Sequence, residues 1–325
     1  MKFIPFVLQK SGKAIVYTVM QLKNNYQNKQ SMKKLKIILP ALFLTTILLS
    51  QQANQVSLPF KMEELTSPKF TKAVVLAGGV CVIPLGIIEK HGPHLPLGSD
   101  LYESREVAFH AAEKEYAVVF PPYFVGQIFE ATHQPGAIAY SNELMWKMLE
   151  ETCKELSRNG LKKIILLNGH GGNGSFLQYF CQSQLAKQQD YIVVMFRPGN
   201  DPVNGPEIKS LKKARLDGHA GEEETSMMYY INPALVDQEA LKNESGLDQD
   251  RLSKLPFGYT GIWWYAKYPN HFASDVNTPN KRLGELLITS DAGQLAELIK
   301  FLKKDNTIQQ LQEEFFKKAQ NPIQK

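Results

Sequence analysis

The sequence predicts an α/β protein, a three-layer α/β/α sandwich with a mainly parallel central sheet. Four apolar runs carry that reading: "VCVIPLGI" (residues 80–87), "AVVFPPY" (117–123), "KKIILLNGH" (162–170) and "YIVVMFR" (191–197). They are short, β-branched and nearly continuous in apolar character, as strands buried on both faces are. Segments of helical period lie between them, and strands alternating with helices call for a parallel sheet. A hydrophobic content of 43% and a charged content of 21% over 325 residues allow a full core.

The chain is expected to open with a leader. From Met32 it reads "MKKLKIILPALFLTTILLSQQANQ", with lysines ahead of an apolar run over residues 37–49. As a helix that run spans roughly 20 Å, short of the ~30 Å bilayer core. A basic start, a short apolar centre and small or polar residues after it describe a signal peptide better than an anchor. Residues 1–53 are therefore expected to be an upstream extension and signal peptide, with Met32 as a candidate start and cleavage after Ser50 or Ala53. The expected destination is the periplasm or the exterior, with no stable membrane span after processing; an uncleaved anchor is the alternative. Residues 1–53 hold eight Lys and no Asp, Glu or Arg, so the remainder has 29 basic against 32 acidic residues, a net of −3. The basic pI of the whole chain thus belongs to the leader, and nothing calls for a nucleic-acid partner.

The folded part is expected over residues 54–325. After the first strand comes a helix that carries His110. In "SNELMWKMLEETCKELSRNG" Met145, Met148, Leu149, Thr152, Cys153 and Leu156 recur on one face, Ser141 can start the helix and Gly160 ends it. Further helices are expected near residues 175–188 and 283–303. Residues 198–218, rich in Pro, Gly and Lys, read as a loop over one face, and the tail "QNPIQK" as frayed. Cys81, Cys153 and Cys181 are odd in number, lie in apolar periodic segments and form no CxxC pair, so they read as free thiols.

Three clusters carry the chemistry. "PLGIIEKHGPHLPLGSD" (84–100) packs Glu89, His91, His94 and Asp100 onto the loop after the first strand; "NGHGGN" (168–173) ends the third; "DGHAGEEETS" (217–226) is a turn running into a helix. Each alone has an ordinary explanation: a solvated acid, a turn glycine, or an acidic helix start favoured by the macrodipole. In a parallel sheet, however, the first two loops open on the same edge, where ligands bind. Carboxylate and imidazole without thiolate suit Zn²⁺ or Mn²⁺, and several acids with a bridging aspartate suggest two ions. Gly169, Gly171 and Gly172 clear space around His170. A nucleotide site is not indicated, because no GxGxxG or GK[ST] motif opens a helix.

The three motifs, in this order and with this internal spacing, resemble the creatininase family of metal hydrolases over residues 80–287. The resemblance implies an α/β/α fold, two divalent ions per chain (Zn²⁺ and/or Mn²⁺), hydrolysis of a C–N amide bond in a small molecule, and a homo-oligomer, a hexamer in many members. It carries the metal ligands onto Glu89, His91, Asp100 (bridging) and His170, and the catalytic histidine onto His219. One ligand is displaced, since creatininase has a glutamate where this chain has Gly172. Glu222 is the expected replacement, with Glu224 the second choice or a supporting residue. The tryptophans with which creatininase closes its site have no counterpart in residues 198–218, which puts creatinine in doubt; formamide deformylases and a peptide-trimming peptidase share the N-G-H-G-G-N pattern. His94 is expected either behind the ligands or on the surface, and His133 at the substrate; His110 and His271 are expected to be structural, and the pair Trp263 and Trp264 to be packing or a pocket wall. The expected mechanism is attack by a metal-bridging hydroxide, with His219 protonating the leaving nitrogen. The competing readings are an exported metallopeptidase and a non-catalytic metal-binding envelope protein.

Overall fold

The computed structural model describes residues 58–275 and 278–323; the expected leader lies outside the described residues. The central sheet is built from β1 (Val80–Leu85), β2 (Val118–Val119), β3 (Lys163–Asn168) and β4 (Ile192–Met195), in the order β2-β1-β3-β4. Every pairing in it is parallel.

All six residues of β1 are buried, and they alternate between two cores. Cys81, Ile83 and Leu85 face α1 (Ser67–Leu76), α3 (Asn142–Arg158) and α4 (Asn173–Ser183). Val80 and Val82 face α2 (Ser99–Lys114) and α8 (Lys281–Lys304). The period of two sends successive side chains to opposite faces, and a sheet covered on both faces is the three-layer sandwich the sequence predicts. At about 1.5–3 kcal/mol per fully buried aliphatic side chain, the two cores are the main stabilising contribution.

From β1 the chain crosses through α2 to β2 on one side, then through α3 to β3 on the other. The strand order therefore reverses between β1 and β3, and their carboxyl ends flank the crevice where α/β proteins bind ligands. The register is level there, with Leu85 opposite Asn168 and the Gly169 amide donating to the Leu85 carbonyl at 2.7 Å. A Cβ on Gly169 would lie 2.7 Å from the Asp100 carbonyl oxygen, and one on Gly86 would lie 2.5 Å from the Leu101 amide nitrogen. The two glycines let the start of α2 sit directly on the strand ends.

Outside the sheet, β5 (Asp217–His219) pairs antiparallel with β6 (Ala273–Ser274), and α6 (Glu222–Ile231) follows β5. Several boundaries differ from expectation. The second strand is only two residues long; Pro121 and Pro122 lack the amide a longer ladder needs, and an isolated bridge from Leu85 to Tyr123 follows them. Residues 198–218 hold a short helix, α5 (Gly205–Leu211), started by Pro206, and the first residues of β5. Helix α1 is not among the expected helices, and α9 (Thr307–Ala319) extends the fold past α8. Met148 is 43% exposed, so the apolar stripe of α3 is narrower than its period suggests. Among the described residues no helix is long and apolar enough to cross a membrane.

Candidate metal centre

Glu89, His91 and His94 arrive on the loop between β1 and α2, Asp100 in the first turn of α2, His170 on the loop after β3, and His219 at the end of β5. All are buried, none more than 7% exposed. Two groups have ligand atoms close enough for one ion each: Glu89, Asp100 and His170; and Glu89, His91 and His219.

The backbone fixes the imidazoles. His91 Nδ1 lies 3.2 Å from the Glu89 carbonyl, His170 Nε2 2.9 Å from the Gln127 carbonyl, and His219 Nε2 2.9 Å from the Lys90 carbonyl. A carbonyl only accepts, so each ring donates there and turns its other nitrogen, the one a cation can take in place of a proton, toward the carboxylates. His91 Nε2 then stands 2.9 Å from Asp100 Oδ1, and His170 Nδ1 stands 2.8 Å from Glu89 Oε1 and 3.2 Å from Asp100 Oδ2. This is the way metal-binding histidines are oriented.

Two further observations test whether a cation fits. Glu89 Oε1 and Asp100 Oδ2 are fully buried yet make no aligned hydrogen bond, despite the imidazole nitrogen beside them. The cluster also demands positive charge. Burial disfavours the charged form of each group, but Asp100 and Glu89 raise His91 to about 10, and Glu89 and Asp100 hold His170 well above the usual histidine range. In return His219 and His170 hold Glu89 well below the carboxylate range, and His91 holds Asp100 low. Two buried carboxylates need compensation, which protons or divalent cations can supply. The residues fit a metal.

His219 differs. Burial lowers its pKa despite Glu89. Its Nδ1 lies 3.8 Å from Glu224 Oε2. Glu224 sits in the first turn of α6, accepts the Ala220 amide at 2.5 Å, and is pushed upward by burial while His219 and His91 pull it down. Ala220 has φ +50°, a left-handed conformation that turns the chain between His219 and the helix.

Glu222, the expected fifth ligand, stands apart from both groups. Its Oε2 accepts the amides of Lys213 and Ala214 at 2.7 and 2.8 Å, so this carboxylate anchors the chain ahead of β5. Glu223 pairs with Lys212. Helical geometry accounts for the difference: residues two apart in a helix point to different sides, and Glu224 is the one facing His219. His94 lies behind the cluster, its Nε2 2.8 Å from the Thr225 hydroxyl; burial and the neighbouring His91 lower it to about 4, so it is neutral and braces the start of α6. His133, expected at the substrate, is exposed, bonds to the Pro269 carbonyl at 2.9 Å and stacks edge-on with Tyr265.

His271, expected to be structural, lies against the cluster. It is buried, with Nε2 2.5 Å from Glu89 Oε2 and its ring 4.5 Å from that of His219. A lone histidine in "YPNHFAS" has no periodicity or motif spacing to single it out.

The creatininase (creatinine amidohydrolase) family profile matches residues 63–299. The chain belongs to the creatininase family. By that membership it is a creatininase-type amidohydrolase, a hydrolase of non-peptide C–N bonds. It is 27% identical over 188 residues to creatinine amidohydrolase of Pseudomonas putida, covering 54% of this chain and 72% of that one. It is 30% identical over 158 residues to the mycofactocin precursor peptide peptidase of Mycolicibacterium smegmatis, covering 47% of this chain and 58% of that one. Among solved structures it is similar to creatinine amidohydrolase (creatininase) with a TM-score of 0.61 at 23% identity, over 74% of this chain and 96% of that one. Other similar creatininase structures are described as a Zn–Zn type and as a Mn form, and one as complexed with creatine. Where creatininase carries its extra glutamate, a side chain on Gly172 would run into His170 Nε2 and approach the Gln127 carbonyl oxygen at 3.2 Å, so this backbone has no room for that ligand.

Proposed function

We propose that the chain hydrolyses a C–N bond in a small amide at a two-ion centre of Zn²⁺ or Mn²⁺. The observation that carries this reading is the convergence of Glu89 Oε1, Asp100 Oδ2 and His170 Nδ1 in a buried cluster, with both oxygens lacking an aligned hydrogen bond. Glu89, Asp100 and His170 would hold one ion. His91, Asp100 and Glu224 would hold the other, Glu224 taking the part that the sequence suggested for Glu222. When bound, the ions activate water and polarise the amide carbonyl.

The chain's own residues supply the proton traffic. His219 donates from Nε2 to the Lys90 carbonyl, which leaves Nδ1 to take a proton and return it to the leaving nitrogen. Burial, which lowers its pKa, eases the return of that proton. The near-complete burial of Glu89, His91 and Asp100 supports a small substrate over an extended peptide. An expected leader over residues 32–53 supports export, and the family resemblance supports a homo-oligomer.

The test is a substrate panel of cyclic amides, N-formyl compounds and short peptides, run with His219→Ala. Turnover of a small amide that falls about 10²- to 10⁴-fold in the variant, at unchanged metal content, is the expected result. Equal turnover in wild type and variant would remove His219 from the chemistry, and preference for peptides would reverse the substrate reading. Fractionation of the expressing cells tests export, and sedimentation of the purified protein tests assembly; a cytosolic monomer would contradict both.

A further inference from the structure

We infer that His271, locked by Trp264, positions Glu89 so that only one of its oxygens is presented to the metal centre. The inference rests on the metal-hydrolase reading and adds a residue pair outside the ligand set.

The hydrogen bonds dictate the arrangement. Trp264 Nε1, in α7 (Trp263–Lys267), lies 2.9 Å from His271 Nδ1. An indole N–H can only donate, so His271 Nδ1 must accept and the ring proton sits on Nε2. That proton is donated to Glu89 Oε2 at 2.5 Å. Oε2 is thereby occupied, and Oε1 is left facing His170 Nδ1 and free of any aligned hydrogen bond. Carboxylate ligands are commonly oriented by such outer hydrogen bonds, which raise affinity by fixing geometry before the ion arrives.

The local backbone is shaped to deliver this ring. His271 has φ +54°, a left-handed conformation that persists only where surroundings enforce it. Its amide donates to the Tyr268 carbonyl at 3.0 Å, and its carbonyl accepts from the Gly92 amide at 3.1 Å, on the very loop that carries Glu89 and His91. Two residues on, β6 pairs with β5, which brings His219 to the same point. Trp264 also lies edge-on to His219, with ring centroids 5.9 Å apart. One short segment, 264–274, thus fixes the first ligand and the proton-transfer histidine together.

The test is metal affinity, measured on the full chain by competition of Zn²⁺ against a chromophoric chelator, for wild type and for His271→Leu, His271→Gln and Trp264→Phe. A glutamine amide can donate close to where Nε2–H does, whereas leucine cannot. The expected result is that one of the two ions binds roughly ten- to hundredfold more weakly in His271→Leu. Trp264→Phe, which keeps the ring and loses only the N–H, should weaken the same ion by a smaller factor, and His271→Gln should recover most of the affinity. Wild-type affinity in both His271→Leu and Trp264→Phe would overturn the inference, as would His271→Gln binding as weakly as His271→Leu. Should His271→Leu fail to fold, wild-type affinity in Trp264→Phe overturns the inference by itself. A wild-type chain that binds no Zn²⁺ would sink the metal-hydrolase reading and this inference together; two tightly held ions in every variant would sink this inference alone.

Discussion

At the scale of single residues, the site is organised by what each ring nitrogen has already bonded. His91, His170 and His219 each spend one N–H on a backbone carbonyl, and the remaining nitrogen is what chemistry can use. That logic separates the glutamates of the third motif. Glu222 is bound to the amides of Lys213 and Ala214, whereas Glu224 lies beside His219. Glu224→Gln should therefore lower turnover at least about 10²-fold, while Glu222→Gln should act on stability, by about 1 kcal/mol for the two part-buried amides it leaves weakly paired. Steady-state kinetics and urea melts on the two variants check this, and a reversed pattern would return the ligand role to Glu222. The sequence identified Glu89, His91, Asp100, His170 and His219 because motif spacing carries them. It could not rank Glu222 against Glu224, since the helix start that decides which carboxylate turns inward depends on Ala220 adopting φ +50°. His271 was illegible for a similar reason: its role comes from a long-range contact with Glu89.

At the scale of elements, close packing at the strand ends holds the ligands. Gly169→Ala would drive a methyl against the Asp100 carbonyl oxygen and Ser104 Cβ, each 2.7 Å from the ideal Cβ position. It should cost about 1–3 kcal/mol and displace the start of α2, and Asp100 with it. A folded Gly169→Ala with wild-type metal content would contradict that account. Helix α8 offers a pH test. Burial raises Asp291 from its ordinary 3.8 to about 6, with Glu223 and Asp201 adding to the effect. A carboxyl raised in the folded state is favourable when neutral, so it costs stability progressively as pH climbs from about 4 through 6. Asp291→Asn should thus match wild type below pH ~4 and be more stable by about 1–2 kcal/mol above pH ~6, allowing for partial solvation of the site. Chemical denaturation across that range checks it; a gain confined to low pH would contradict the sign. The sheet itself was legible because β1, β3 and β4 are continuous apolar runs. Helix α5 was not, since it lies in a stretch rich in Pro, Gly and Lys that reads as a loop.

At the scale of the whole molecule, the doubly covered parallel sheet brings loops distant in sequence to the reversal between β1 and β3. A chain that buries two carboxylates and four imidazoles at one point should depend on its cations for stability. Chelation is expected to lower the melting temperature by roughly 10 °C, the size expected when ligand at about a thousand times its Kd is removed from a domain of this length. An unchanged melting temperature would mean that protons alone satisfy the cluster. The fold was readable from the alternation of strands and helices; the metal site was readable as three motifs, but its closure by α6, α7 and the β5–β6 pair was not, because no local pattern specifies that packing. The most direct measurement is metal content of the purified full chain beside Glu224→Gln and Glu222→Gln. The account predicts about two Zn or Mn per chain in wild type and Glu222→Gln, and about one in Glu224→Gln. No retained metal in wild type, and none regained on adding Zn²⁺ or Mn²⁺, would contradict it.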